Sequence, residues 1–173
     1  MRKRPRMTFL SMRKSRRNPD MAGKAADAVK LVTSWVGFSE SNGKAQTKIV
    51  RPWNKWVGRS VNCKTTPWCQ ITMSSCLHQS SVPTTKTSGC KQAVSYYKSI
   101  KRWKKAGSKP SVGSQVFYDF SGKRKKPTHT GLCVKVSGTT MTVIEGNKSN
   151  KVGKRKISYK SKYIYGIGVP KYK

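Results

Sequence analysis

The chain changes hydrophobic period once, near Pro110 and Gly113, and that switch constrains its fold more than any other feature. Before it, apolar residues recur at helical spacing. Ala25, Ala28, Val29, Val32, Trp35 and Val36 form one stripe that stops at Gly37, with Asp20 placed to cap it. Thr66-Pro67 sets a hydroxyl and then a proline at the start of a second helix, predicted to run to about Gln79. A third helix is predicted over roughly Gly89 to Lys105, burying Ala93, Val94, Tyr97 and Ile100. Beyond the switch, five segments alternate with period two: Gln115 to Phe120, Thr128 to Val136, Thr140 to Glu145, Lys154 to Tyr159 and Tyr163 to Val169. Helices first and a mostly antiparallel sheet of about five strands afterwards make an α+β fold. Residues 41–66, with Asn42-Gly43, Pro52 and Gly58, read as a long ordered loop, and Trp53 and Trp56 argue that the loop is functional.

The 173 residues, 35% hydrophobic, suffice for one domain with a real core and not for two. Residues 1–19 carry eight Arg and Lys without an apolar period and read as a flexible basic arm, leaving residues 20–173 as a single domain. The net charge is +33, from 38 basic residues against 5 acids. No window approaches the roughly 18 consecutive apolar residues of a membrane span. Met1 to Pro19 lacks the apolar core of a secretory signal, so synthesis in the cytoplasm is expected. Five cysteines, an odd count without close pairs, fit neither a disulfide framework nor C-x-x-C zinc spacing, and a reduced environment is the simplest reading.

Cys69 is expected within the first turn of the second helix, where unpaired N–H groups and the helix dipole favour a thiolate. The competing reading is that Cys69, Met73, Cys76 and Leu77 form the buried stripe of a core helix. A thiolate nucleophile needs a base, and the chain has two histidines. His78, nine residues on, falls about 900° around the same helix, on the opposite side, and reads as a solvated helix-end residue. His129 opens a strand in which it shares a face with Gly131 and Cys133, and the glycine leaves room for a substrate or another side chain. The next strand places Glu145 and Asn147 on one face, and a glutamate in an apolar strand calls for a partner such as a histidine N–H. Register decides whether they meet. Pairing Val136 with Thr140 across a three-residue turn sets His129 opposite Asn147 and diagonal to Glu145, whereas a two-residue turn at Ser137-Gly138 puts the carboxylate on the wrong face. Association of the two therefore requires the odd turn or a bulge.

Pro67-Trp68-Cys69 opening a helix, then Gly113 to Phe120, His129-Thr-Gly-Leu132 and Glu145-Gly-Asn147, resembles the CHAP domain, the cysteine, histidine-dependent amidohydrolase/peptidase family. Val36-Gly-Phe-Ser-Glu40 followed by Trp53 and Trp56 is similar to that family's approach to its cysteine, and the resemblance spans roughly residues 25 to 170. It implies a papain-like fold and hydrolysis of peptidoglycan, as an N-acetylmuramoyl-L-alanine amidase or as a stem-peptide or cross-bridge endopeptidase of endolysin type. It also implies Cys69 as nucleophile, His129 as base and then acid, Glu145 as the group orienting the imidazole, and Asn147 as a second polar partner. Trp53, Trp56, Trp68 and Gly131 are then expected to bind substrate. The chain departs from the family pattern at Ser114, where Asp is common, and it has no Asp-x-Asp, so neither metal nor cofactor is expected.

The charge implies polyanionic partners: anionic wall polymers alongside peptidoglycan, and a membrane surface for the arm. A monomer that reaches the wall after holin-type release is the expected setting, by analogy. A competing class is a nucleic-acid-binding protein, in which the arm, Lys101 to Lys105 and Lys123 to Lys126 track phosphates while tryptophans stack on bases, although no specific nucleic-acid motif is present. A cysteine protease or toxin acting on another amide shares the same site residues.

Overall fold

In the computed structural model, residues 23–173 are described, so the basic arm and the Asp20 cap lie outside the described residues. Helix α1 (Ala25–Ser34) begins after Lys24, whose backbone N–H donates to the Asp27 carboxylate at 3.3 Å. A π-helical turn, Ala45–Val50, runs directly into α2 (Arg51–Val57). Helices α3 (Cys69–Gln79) and α4 (Cys90–Ser99) follow. Six strands form one antiparallel sheet among the described residues: β1 (Trp103–Lys105), β2 (Gln115–Tyr118), β3 (His129–Ser137), β4 (Thr140–Lys148), β5 (Lys151–Ser158) and β6 (Ile164–Gly168), in the order β1-β6-β2-β3-β4-β5. The protein is α+β.

The expected loop over residues 41–66 is in large part helical, which corrects that reading. Ile49, Trp53, Trp56 and Val57 fall at i, i+4, i+7 and i+8, a helical stripe that Pro52 disguises. Proline lacks the N–H for an α-helical bond, and its ring collides with the carbonyl four residues back. The wider π turn, in which the Arg51 N–H bonds to the Gln46 carbonyl, comes immediately before it. The third helix also ends earlier than expected. Lys101 adopts a left-handed φ of 56°, and Trp103–Lys105 then becomes a sheet-edge strand, leaving Ile100 exposed.

Helix α3 is buried all round from Cys69 to Leu77, as a central helix must be when it is covered on every side. Its polar residues are hydrogen-bonded: Thr72 Oγ1 donates to the Trp68 carbonyl at 2.8 Å, Ser75 Oγ to the Ile49 carbonyl at 3.0 Å, and Ser74 Oγ to the Thr87 carbonyl at 3.1 Å. One face of the sheet, through Leu132, Ile144 and Val152, closes the core that α1, α2 and α3 share. The other face buries Val116, Tyr118, Cys133, Met141, Val143 and Ile164.

The β3–β4 hairpin meets the requirement for an odd turn or a bulge, and does so by the bulge. Ser137 pairs with Thr140 around a two-residue turn, Gly138-Thr139, and Val136 pairs with Met141. A bulge between Cys133 and Lys135 then shifts the ladder by one, so that Cys133 opposes Val143 and Leu132 opposes Ile144. That register puts Glu145 on the face that His129 shares with Gly131 and Cys133, as the three-residue turn would have done.

Candidate active site

Cys69 is the first residue of α3, two positions nearer the helix start than the Thr66-Pro67 signal implies. The residue before it, Trp68, has φ −117° and ψ 14° and makes no side-chain cap, so Thr66 does not cap the helix. Trp68 is instead fixed by its indole N–H, which donates to the Glu40 carboxylate at 2.9 Å. Cys69 is 6% exposed and lies against Cys90, Ala93, Val94, Tyr97 and Phe117.

His129 is the first residue of β3, at the end of the sheet nearest α3, and its Nε2 is 3.1 Å from Glu145 Oε2. Glu145 is fully buried. Its second partner is Arg155, which pairs with Val143 in the ladder and so sits diagonal to Glu145 on the same face. Arg155 Nε donates to Oε1 at 2.6 Å and Nη2 to Oε2 at 3.1 Å, a two-point clamp that leaves neither carboxylate oxygen unpaired. The Arg155 guanidinium also lies 4.9 Å from the Phe120 ring centre.

Two glycines make this packing possible. A Cβ on Gly131 would stand 2.7 Å from Glu145 Cγ, Ile144 O and Val143 Cγ1, so the space beside His129 is filled by the glutamate side chain and not left for substrate. A Cβ on Gly146 would overlap Thr72, so the glycine lets α3 lie directly on β4 beside the site.

The electrostatics follow from these contacts. Hydrogen bonding from Cys90, with a further contribution from His129 and the Gln70 N–H, outweighs burial and holds the Cys69 thiol well below its ordinary 9.0. Burial disfavours charge on His129, but hydrogen bonds and charge from Cys69 and Glu145 overcome it and raise the imidazole to about 9. Burial likewise opposes ionisation of Glu145, and hydrogen bonds from His129 and Arg155 reverse the balance and lower it. All three shifts favour the charged forms: thiolate, imidazolium and carboxylate. The other cysteines differ: burial pushes Cys63 up, Cys76 up to about 12 and Cys133 up to about 11, and the hydrogen bond with Cys69, together with burial, pushes Cys90 up furthest.

Asn147 adopts a left-handed φ of 54° at a bulge in β4. Among the described residues its side chain makes no hydrogen bond, so the second polar partner in the cluster is Arg155 on Glu145. Asn147 instead lines two adjoining hollows. One, of about 340 Å³, is walled by Phe120, Thr128, His129, Lys148, Ser149 and Arg155; the other, of about 300 Å³, includes Glu40, Lys64 and Thr65 to Pro67.

Three substrate-contact expectations are corrected. Trp53 and Trp68 are fully buried in the helical core, where the largest apolar surfaces gain most by leaving water, and Gly131 makes room for Glu145. Trp56 is half-buried and stacks on His78 at 4.0 Å, over a separate hollow lined by Pro52, Lys55 and Gln79. His78 is accordingly a half-buried helix-end residue, with one ring face packed on Trp56.

Sequence reasoning missed Arg155 and Cys90, and gave Glu40 only as the end of the Val36–Glu40 segment, without its bond to Trp68. Arg155 has a signal in hindsight: it is the one arginine in β5 among Lys151, Lys154 and Lys156, at a place where only a forked guanidinium can clamp a carboxylate at two points. Cys90, 21 residues from Cys69, has none.

Among the described residues, no group of three or more His, Cys, Asp or Glu side chains is gathered that could hold a metal ion. No helix there is long and apolar enough to cross a membrane. No family model, curated protein or solved structure matches the chain.

Proposed function

We propose that the protein is a cysteine-dependent amide hydrolase of papain-like type, acting on peptidoglycan. The observation that carries this reading is the pairing of His129 with the buried, arginine-clamped Glu145, with Cys69 at the start of α3 interacting with the same imidazole. In that arrangement the Cys69 thiolate attacks the amide carbonyl carbon. The oxyanion that forms develops near the first-turn N–H groups of α3, which lack intrahelical acceptors. His129 gives its proton to the departing nitrogen, the C–N bond breaks, and a thioester remains on Cys69. His129, now neutral, takes a proton from water as it attacks, and the acid leaves. Glu145 fixes the ring and favours its charged form, and Arg155 keeps that carboxylate ionised.

The choice of a wall substrate rests on the CHAP resemblance and is supported by the character of the cleft. Phe120, 42% exposed, stands at its mouth beside His129 and Lys148, while Asp119 and Glu145 are both buried. An aromatic face with surrounding lysines suits a saccharide chain bearing anionic groups. Retention on anionic wall polymer follows from the same charge. The competing nucleic-acid reading is disfavoured because Trp53 and Trp68 are sealed in the core and offer no stacking surface.

The test is release of soluble fragments from purified peptidoglycan by wild type and Cys69→Ala, with mass spectrometry of the products. Fragments from wild type alone, with new termini that name the bond, are expected. An intact wall with both proteins, across several wall chemistries and salt concentrations, would overturn the wall assignment.

A further inference from the structure

We propose that Cys69 and Cys90 form a redox-active dithiol, at which hydrogen peroxide converts the two thiols into a reversible intramolecular disulfide. The residues begin α3 and α4, and their sulfurs are 4.0 Å apart. That is van der Waals contact, from which a closing of about 2 Å reaches sulfur–sulfur bonding distance. Both lie in one apolar pocket under Ala93, Val94, Tyr97 and Phe117, with Cys69 6% and Cys90 9% exposed. With both sulfurs nearly buried and in contact, Cys90 is the thiol at hand for an oxidised Cys69.

Thiolate character selects Cys69 among the five cysteines, and contact selects Cys90: the Cys90 thiol, like those of Cys63, Cys76 and Cys133, is held in its protonated form, but it alone touches Cys69 Sγ. The Cys69 thiolate attacks one peroxide oxygen, the O–O bond breaks, and the other oxygen departs with a proton as water, leaving a sulfenic acid on Cys69. The Cys90 sulfur then attacks Cys69 Sγ, the S–O bond breaks, and the Cys90 proton leaves with the hydroxyl as a second water. Two thiols lose two electrons and one peroxide gains them. This inference does not depend on the wall-hydrolase reading, but if that reading holds, the disulfide removes the nucleophile until a dithiol reductant restores it.

The test treats the full chain with hydrogen peroxide, alkylates the remaining thiols, and maps peptides by mass spectrometry without reduction. Wild type is expected to lose the mass of two hydrogens, to yield a Cys69–Cys90 cross-linked peptide, and to regain both thiols with dithiothreitol. Cys90→Ser is expected to gain oxygen at Cys69, first as a sulfenic acid trapped by dimedone and then as a sulfinic acid that dithiothreitol does not reverse. Accumulation of Cys69 sulfinic acid in wild type with Cys90 still alkylatable, a cross-link to another cysteine or another chain, or no reaction at either thiol would each overturn the proposal. If Cys90→Ser does not fold, the wild-type cross-link map still decides. The readout is mass and not activity, so its failure is distinct from failure to release wall fragments.

Discussion

The two histidines of this chain sit beside aromatic rings in two different hollows, and what separates them is what stands behind the ring. His78 stacks on Trp56 at 4.0 Å over the larger hollow, about 640 Å³. His129 lies 5.9 Å from Phe120 over the smaller one, about 340 Å³, with a buried carboxylate on one side and a thiol on the other. The size of a hollow says little about chemistry here. A charged pair survives near neutral pH only where a buried acid, itself neutralised by Arg155, makes the charged imidazole worth its desolvation.

The largest effect should separate the two histidines outright. His129→Ala is expected to lower the rate of amide hydrolysis by about a thousandfold or more. His78→Ala is expected to leave that rate within about twofold; initial rates of wall-fragment release measure both. Equal loss from the two variants would break the distinction.

Glu145→Gln keeps the shape of the acid and removes its charge, leaving Arg155 half-buried and unpaired. It is expected to cost about 3 kcal/mol of stability, read from urea midpoints at neutral pH. It should also move the alkaline limb of the pH–rate profile to lower pH, because part of what raises His129 is gone. An unmoved limb would mean that Glu145 braces the fold without acting on the histidine.

The pH dependence of stability sharpens the same point. His129 is raised to about 9 from 6.5, so its contribution is complete below about 6.5 and is lost as pH climbs through about 9. Glu145 is lowered from 4.5, so its contribution is complete above about 4.5 and is lost as pH falls below it. Cys69, lowered from 9.0, contributes in the opposite sense, gaining as pH rises toward 9.0 and so offsetting the loss from His129; urea midpoints of the wild type should therefore fall chiefly on the acid side, below about 4.5.

Gly131→Ala presses a methyl group onto a backbone carbonyl and on Glu145, and about 2 kcal/mol of destabilisation is expected in thermal unfolding. The smallest effect belongs to the other hollow. Loss of the His78–Trp56 stack should cost about 1 kcal/mol in the same measurement.

Much of the architecture was legible because hydrophobic period survives in the chain itself. The switch near Pro110 separates the helices from the sheet, and the strands from Gln115 onward lie within a few residues of their predicted ends. The misreadings have local causes. Pro52 hid the helix that contains Trp53, a three-residue edge strand at Trp103 is too short to show a period, and Thr66 offered a cap that α3 does not use. In the site, Cys69, His129 and Glu145 were visible as residues able to act together, since a scarce acid in an apolar strand signals a buried partner. The bulge at Val134, which brings them into register, was legible only as a requirement.

By itself, then, the sequence determined the α+β order of elements, the basic surface and the three residues whose chemistry can be joined, because period, charge and side-chain type are properties of the chain. Only the tertiary structure decided that Arg155 clamps Glu145, that Gly131 and Gly146 open space for the carboxylate and for α3, that Trp53 and Trp68 are core, and that Cys90 touches Cys69. Those are contacts between residues far apart in sequence. Their geometry is set by register, twist and close packing, which leave no periodic trace in the order of residues.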